Sequence, residues 1–209
     1  MFEISNLLLL LFAYLLGSIP TAVWVGKLFY GIDVREFGSG NAGATNTFRV
    51  LGKKAGIPVL IIDILKGLFA VYLSNFSSFD LGSNSYINLQ IALGVASLLG
   101  HIFPVFAGFR GGKGVATLLG VVLGILPAAA CIAILIFLVV LFAFKYVSLA
   151  SMSAGLAFPI IVLLIFKEVN VTLLTFSIVV AFLLIITHKK NISRLIQKKE
   201  SKVNLFNKA

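Results

Sequence analysis

Charge is the first scarcity in this chain. Asp, Glu, Lys and Arg make up only 11 % of its 209 residues, and just 7 of them are acidic. An ordinary soluble domain carries about 25 % charged residues, so that class is excluded. Disorder is excluded as well, because it requires low hydrophobicity and this chain is 60 % hydrophobic. Cysteine is scarcer still. Cys131 stands alone in an apolar run, which rules out an intramolecular disulfide and any CxxC metal or redox site. The acidic residues and the 2 histidines form no cluster with metal-ligand spacing, so neither a metal nor a cofactor is expected. No stretch alternates in the manner of an outer-membrane barrel strand. No hydrophilic segment exceeds about 30 residues, which leaves no room for a separate soluble domain. No internal repeat is visible, which argues against an inverted-repeat transporter.

What the chain has in abundance is long apolar runs, with a mean hydropathy of +1.10. A helix needs roughly 20 apolar residues to cross the hydrocarbon core. The runs predict an all-α, polytopic integral membrane protein, a single membrane domain over 1–209. About seven spans are expected, near 4–26, 57–74, 87–106, 114–126, 127–144, 147–166 and 169–187. The stretch 114–144 is charge-free but too long for one span, and it is divided at Pro127, since proline ends or kinks a helix. If it were instead one tilted helix or a re-entrant pair, the count would be five or six. The first run has no basic segment ahead of it and no small-residue cleavage site after it, so it reads as a retained helix.

The net charge of +10 does not point to nucleic acid, because the basic residues sit between and after the apolar runs, where membrane topology places them. Lys27, Arg35, Arg49, Lys53 and Lys54 follow the first span, Arg110 and Lys113 follow the third, and a basic tail occupies 188–209. Seven spans with the N-terminus outside put these groups in the cytoplasm and leave only Lys167 on the far side.

Three polar segments carry the chemistry. The first, FGSGNAGATNTFR at 37–49, is too polar to be a span. Gly38, Gly40 and Gly43 let backbone amides turn toward one point; Ser39, Asn41, Thr45 and Asn46 add neutral donors, and Arg49 adds a planar cation. That set suits an oxyanion such as phosphate. The second, GFRGGKGVAT at 108–117, surrounds Lys113 with Gly111, Gly112 and Gly114, and leads through Thr117 into an apolar helix, another anion-binding arrangement. It is not a nucleotide P-loop, which would need glycine at Ala107 and Ser or Thr at Gly114. The third, HKKNISR at 188–194, repeats His188, Asn191 and Arg194 at spacings of three, on one face of a continuing helix; it also fits a basic anchor for anionic lipid head groups. Asp63 and Lys66 lie inside the second span, where isolated charges are costly, so they are expected to pair. Lys66 is also a candidate phosphate ligand. His101 reads equally as a ligand or as a satisfied buried histidine.

Together the stretches GSGNAGATNTFR at 38–49, GHIFPVFAGFRGGKGVAT at 100–117 and HKKNISRL at 188–195, with IDILKG around Asp63, resemble the PlsY family of bacterial acyl-phosphate:glycerol-3-phosphate acyltransferases. The resemblance extends over nearly the full length. It implies a seven-helix membrane bundle that transfers a fatty acyl group from acyl phosphate to the 1-position hydroxyl of glycerol 3-phosphate. The implied products are lysophosphatidic acid and inorganic phosphate, made at the cytoplasmic face of the bacterial cell membrane early in phospholipid synthesis. Neither acyl-CoA nor acyl carrier protein is the implied donor. One departure stands out: the family often has Gly-x-Glu after the last motif, whereas Lys198-Lys199-Glu200 follows here, so a role for the tail is open.

The residues suit that chemistry. An acyl phosphate is already activated, so its leaving phosphate needs charge stabilisation more than a proton; Lys113 and the amides of 111–114 are the candidates. The acceptor hydroxyl must lose its proton either to His188 or to a substrate phosphate oxygen, and both routes stay open. Lys113, His188, Ser39 and Asn191 are the expected catalytic residues. Gly38, Gly40, Asn41, Gly43, Thr45, Asn46, Arg49, Lys66, Gly111, Gly112, Gly114, Thr117 and Arg194 are the expected binding residues. The His-x4-Asp pattern of many acyl-CoA acyltransferases is absent, since Phe106 and Ser193 stand where its Asp would be. The competing class is a transporter or channel for a phosphorylated metabolite, but the expected external loops offer almost no binding groups. Membrane lipids are the other expected partners.

Overall fold

A computed structural model describes residues 4–165 and 170–203, and among them every regular element is helical. Lys167 and Glu168, expected in a turn, lie outside the described residues. The chain divides into two compact units, Met1–Leu126 and Pro127–Ala209.

The first unit begins with α1 (Ile4–Gly17) and α2 (Thr21–Tyr30), which meet at a 42° bend. Pro20 has no N–H to continue α1 and instead caps the start of α2. The loop after α2 contains a 3₁₀ turn, Val34–Glu36, and leads to the short amphipathic helix α3 (Ala44–Leu51). Then come α4 (Lys53–Tyr72), α5 (Asn84–Ile102) and α6 (Val115–Ile125). The most extensive packing in the unit is α4 on α6. It depends on two glycines: a methyl on Gly67 would strike Thr117 O, and one on Gly120 would strike Ile64 O. Lipid supplies no hydrophobic drive between helices, so backbones brought close by small residues are what membrane packing uses. Ala13, Ala70, Leu89 and Leu93 form one apolar cluster, and Ala22, Val34 and Val59 another.

The second unit stacks α7 (Pro127–Phe144), α8 (Val147–Ile165) and α9 (Val171–Thr187). The rings of Phe158 and Phe176 meet edge to face, 6.4 Å apart. At His188 the chain turns by 58° into α10 (Lys189–Ile196), and the tail returns so that Val203 N donates to Lys145 O at 2.8 Å.

Large apolar side chains cover the outside. Leu8, Leu11 and Phe12 of α1, Leu135, Val139 and Phe142 of α7, and Val179, Phe182 and Ile186 of α9 are all exposed. Such stripes belong against lipid. Among the described residues, four helical segments are each long and apolar enough to cross a membrane, and the bent pairs α1–α2 and α9–α10 raise the number to six. Helix α6 has 11 residues, about 16 Å at 1.5 Å per residue, roughly half the hydrocarbon thickness.

Candidate active site

The polar loops of the first unit are built around two hubs. One is Arg35. Its Nε and Nη2 donate to Asp33 Oδ1 and Oδ2 at 2.9 and 2.7 Å, while Nη1 donates to Ala107 O at 2.8 Å and Arg110 O at 3.2 Å. One guanidinium thus ties the stem of the first glycine segment to that of the second. The side-chain hydrogen bonds from Arg35 hold the Asp33 carboxyl well below the usual carboxylate range, and Asp33 in turn raises Arg35 further above its ordinary value.

The other hub is Asn46. Its Nδ2 donates to Val34 O and Phe37 O at 2.8 and 3.1 Å, and its Oδ1 accepts from Ser39 N and Ser39 Oγ at 2.8 and 3.1 Å. All four hydrogen-bonding positions of this buried amide go to its own loop. Asn46, expected to bind substrate, therefore shapes the loop that presents Ser39. Gly38 and Gly40 are exposed and take positive φ, and Gly43 opens α3, on which Thr45 and Arg49 are exposed. Asn41 is half-buried beside Gly43.

The second glycine segment departs from its expected use in two ways, and Lys66 on α4 departs from its own. The amides of Gly111 and Gly112 donate to Ile102 O and His101 O at 3.2 and 3.1 Å, so helix α5 takes them and they are not turned to an anion. The Thr117 hydroxyl is fully buried, 3.1 Å from His101 Nδ1. Lys66 is buried too, its Nζ 2.9 Å from Asp63 Oδ1 and 3.1 Å from Ile19 O, a position that serves the helix bundle instead of a loop. Lys113 of this segment is half-buried, and the first-turn amides of α6 beyond Gly114 have no intrahelical acceptor, an arrangement that suits an anion.

In the second unit, His188 stands at the junction of α9 and α10 with Nδ1 2.8 Å from Leu184 O. A carbonyl only accepts, so Nδ1 carries the proton and Nε2 is the basic nitrogen of the neutral ring. Asn191 Nδ2 and Arg194 Nε donate to the two oxygens of Glu200 at 2.7 and 2.6 Å, and Ser148 Oγ donates to Oε1 at 3.0 Å. Glu200 therefore organises this cluster, which the irregular tail sequence did not disclose; Ser148 was missed altogether. Burial raises the Glu200 carboxyl, but the hydrogen bonds from Arg194, Asn191 and Ser148 outweigh it and leave the group below its ordinary value. Among the described residues, no group of three His, Cys, Asp or Glu could hold a metal ion.

With lipid-facing stripes and only helices among its described regular elements, the chain is an integral membrane protein whose polar segments carry cations, hydroxyls and a histidine. Comparison with known proteins narrows the class. The family profile described as "Glycerol-3-phosphate acyltransferase" matches residues 7–198. The glycerol-3-phosphate acyltransferase of Listeria monocytogenes is 45 % identical, over 96 % of this chain and 98 % of the relative. That of Chlorobium phaeobacteroides strain BS1 is 41 % identical, over 94 % and 96 %. The crystal structure of PlsY (YgiH), an integral membrane glycerol 3-phosphate acyltransferase in its glycerol 3-phosphate form, superposes with a TM-score of 0.85 at 42 % identity, covering 96 % of each chain. Its lysophosphatidic acid form gives 0.82 at 41 % identity over the same shares. The chain belongs to the PlsY family of glycerol-3-phosphate acyltransferases. It is an acyltransferase, as the motifs had implied.

Proposed function

We propose that this enzyme transfers a fatty acyl group from acyl phosphate to the 1-position hydroxyl of glycerol 3-phosphate at the cytoplasmic face of the bacterial cell membrane. The hydroxyl oxygen attacks the acyl carbonyl carbon, the carbonyl–phosphate bond breaks, and lysophosphatidic acid and inorganic phosphate leave. The observation that carries this reading is the pair of cation-bearing glycine segments locked together by Arg35 in a chain whose relatives are glycerol-3-phosphate acyltransferases. Both substrates present a phosphate, and the mixed anhydride requires no cofactor to activate it.

In this mechanism Lys113, with the opening amides of α6, opposes the charge that gathers on the departing phosphate. Ser39 and Arg49 bind phosphate oxygens on the first segment. His188 orients the acceptor hydroxyl, and its proton passes to Nε2 or to a phosphate oxygen of the substrate. Asn191 and Arg194, held by Glu200, bind the acceptor beside it. The topology we propose has seven crossings, α6 counted among them, with the N-terminus outside; the basic residues at 27–54 and 188–202 support it.

The test is direct. Purified protein is given palmitoyl phosphate or palmitoyl-CoA with glycerol 3-phosphate, and phosphate release and lysophosphatidic acid are followed. Product from acyl phosphate alone is expected; product from the thioester would overturn the choice of donor.

A further inference from the structure

The last turn of helix α5 holds a histidine that the mechanism above does not use. His101 is 6 % exposed. Its Nδ1 lies 3.1 Å from Thr117 Oγ1 in the first turn of α6 and 3.8 Å from Asp63 Oδ1 on α4. That same carboxylate oxygen accepts from Thr21 Oγ1 at 3.1 Å and is 2.9 Å from Lys66 Nζ, which also donates to Ile19 O at 3.1 Å. Four helices therefore converge on one buried polar network. Buried networks whose members are satisfied hold a single arrangement.

The other side of His101 faces the glycine segment. Its carbonyl oxygen accepts from Gly112 N at 3.1 Å, and the next carbonyl, Ile102 O, accepts from Gly111 N at 3.2 Å. The contact with the ring is so close that a methyl group on Gly112 would collide with Nε2. Thus His101 grips the chain immediately before Lys113 through Gly112, and four residues after it through Thr117. We propose that His101 is a positioning residue that sets where the Lys113 side chain stands, with the Asp63–Lys66 pair as its footing inside the membrane. The inference rests on the reading of Lys113 as the group that opposes the leaving phosphate. Misplacing a catalytic group by about 1 Å can cost on the order of a hundredfold in rate, which is sufficient reason for a membrane helix to keep a charged pair.

The experiment compares His101→Ala, His101→Asn and Thr117→Val with the wild-type enzyme, using palmitoyl phosphate and glycerol 3-phosphate. Asn places an amide nitrogen near the position of Nδ1, and Val removes the threonine hydroxyl while keeping its shape. His101→Ala and Thr117→Val should lower kcat by about tenfold or more, with KM for glycerol 3-phosphate moving less than about threefold. His101→Asn should recover to within about threefold of wild type. A second readout does not depend on activity. In a Cys131→Ala background, the alkylation rate of Lys113→Cys should change by about fivefold or more on adding His101→Ala, and much less on adding His101→Asn. Wild-type kcat in folded Thr117→Val, or an alkylation rate indifferent to His101, would overturn the proposal. If His101→Ala does not fold, Thr117→Val decides by the same two readouts. Should Lys113→Ala retain full kcat while the alkylation rate responds to His101, the assigned role of Lys113 fails and the positioning itself stands.

Discussion

Lys113→Ala should lower kcat by about a hundredfold, the usual cost of removing one preorganised group from a developing anion, without changing the amount of folded protein. Phosphate release by purified enzyme checks both parts of that statement. At Glu200 the expectation concerns pH. Its carboxyl is held below the ordinary value of 4.5 by Arg194, Asn191 and Ser148. A depressed acid contributes stability that is fully present above its unfolded pKa and is lost as pH falls through the folded one. Melting temperature should therefore be level in the neutral range and decline only below the ordinary carboxylate range. Glu200→Gln should melt lower than wild type near pH 7, and the gap should close as the medium becomes acidic. A gap of constant size from pH 7 to pH 3 would contradict the network.

Residue types were readable from the chain far better than their directions. The polar segments advertised glycines, amides and cations, and these do gather in loops and at helix ends. Which way each group points was hidden, because it is decided by neighbours distant in sequence. Asn46 turns inward because the carbonyls of Val34 and Phe37 accept from its Nδ2. Thr117 turns to His101, and Gly111 and Gly112 spend their amides on the end of α5. Glu200 escaped a firm reading for a related reason: the tail has no periodicity, so nothing local says that it folds back on α10.

Among the elements, hydropathy found the apolar runs but located membrane rather than helix. Helix α4 starts at Lys53, ahead of the expected span start at 57, because its first residues are polar and still helical. The run 4–26 holds two helices instead of one, with Pro20 at the bend. Residue size also matters most at this scale. Gly120→Leu would drive a side chain into the backbone of α4 at Ile64, and overpacking of this kind costs about 1–3 kcal/mol or more. The variant should melt clearly lower in detergent, whereas the same change at lipid-facing Val139, 60 % exposed, should leave melting unaltered.

For the molecule as a whole, the proposed orientation can be read with a membrane-impermeant maleimide on intact cells. With Cys131 replaced by Ala, a cysteine introduced at Leu81 should label from outside, and one at Ser193 only after the cells are opened. The reverse pattern would invert the topology and place the basic segments outside.

The guanidinium of Arg35 reaches both glycine segments at their stems. Neither can then loosen without straining the other, so their openings are thermodynamically linked. In hydrogen exchange the amides of Ser39, Gly111 and Gly112 would behave as one cooperative unit, and breaking the Arg35 bridge would release all three together.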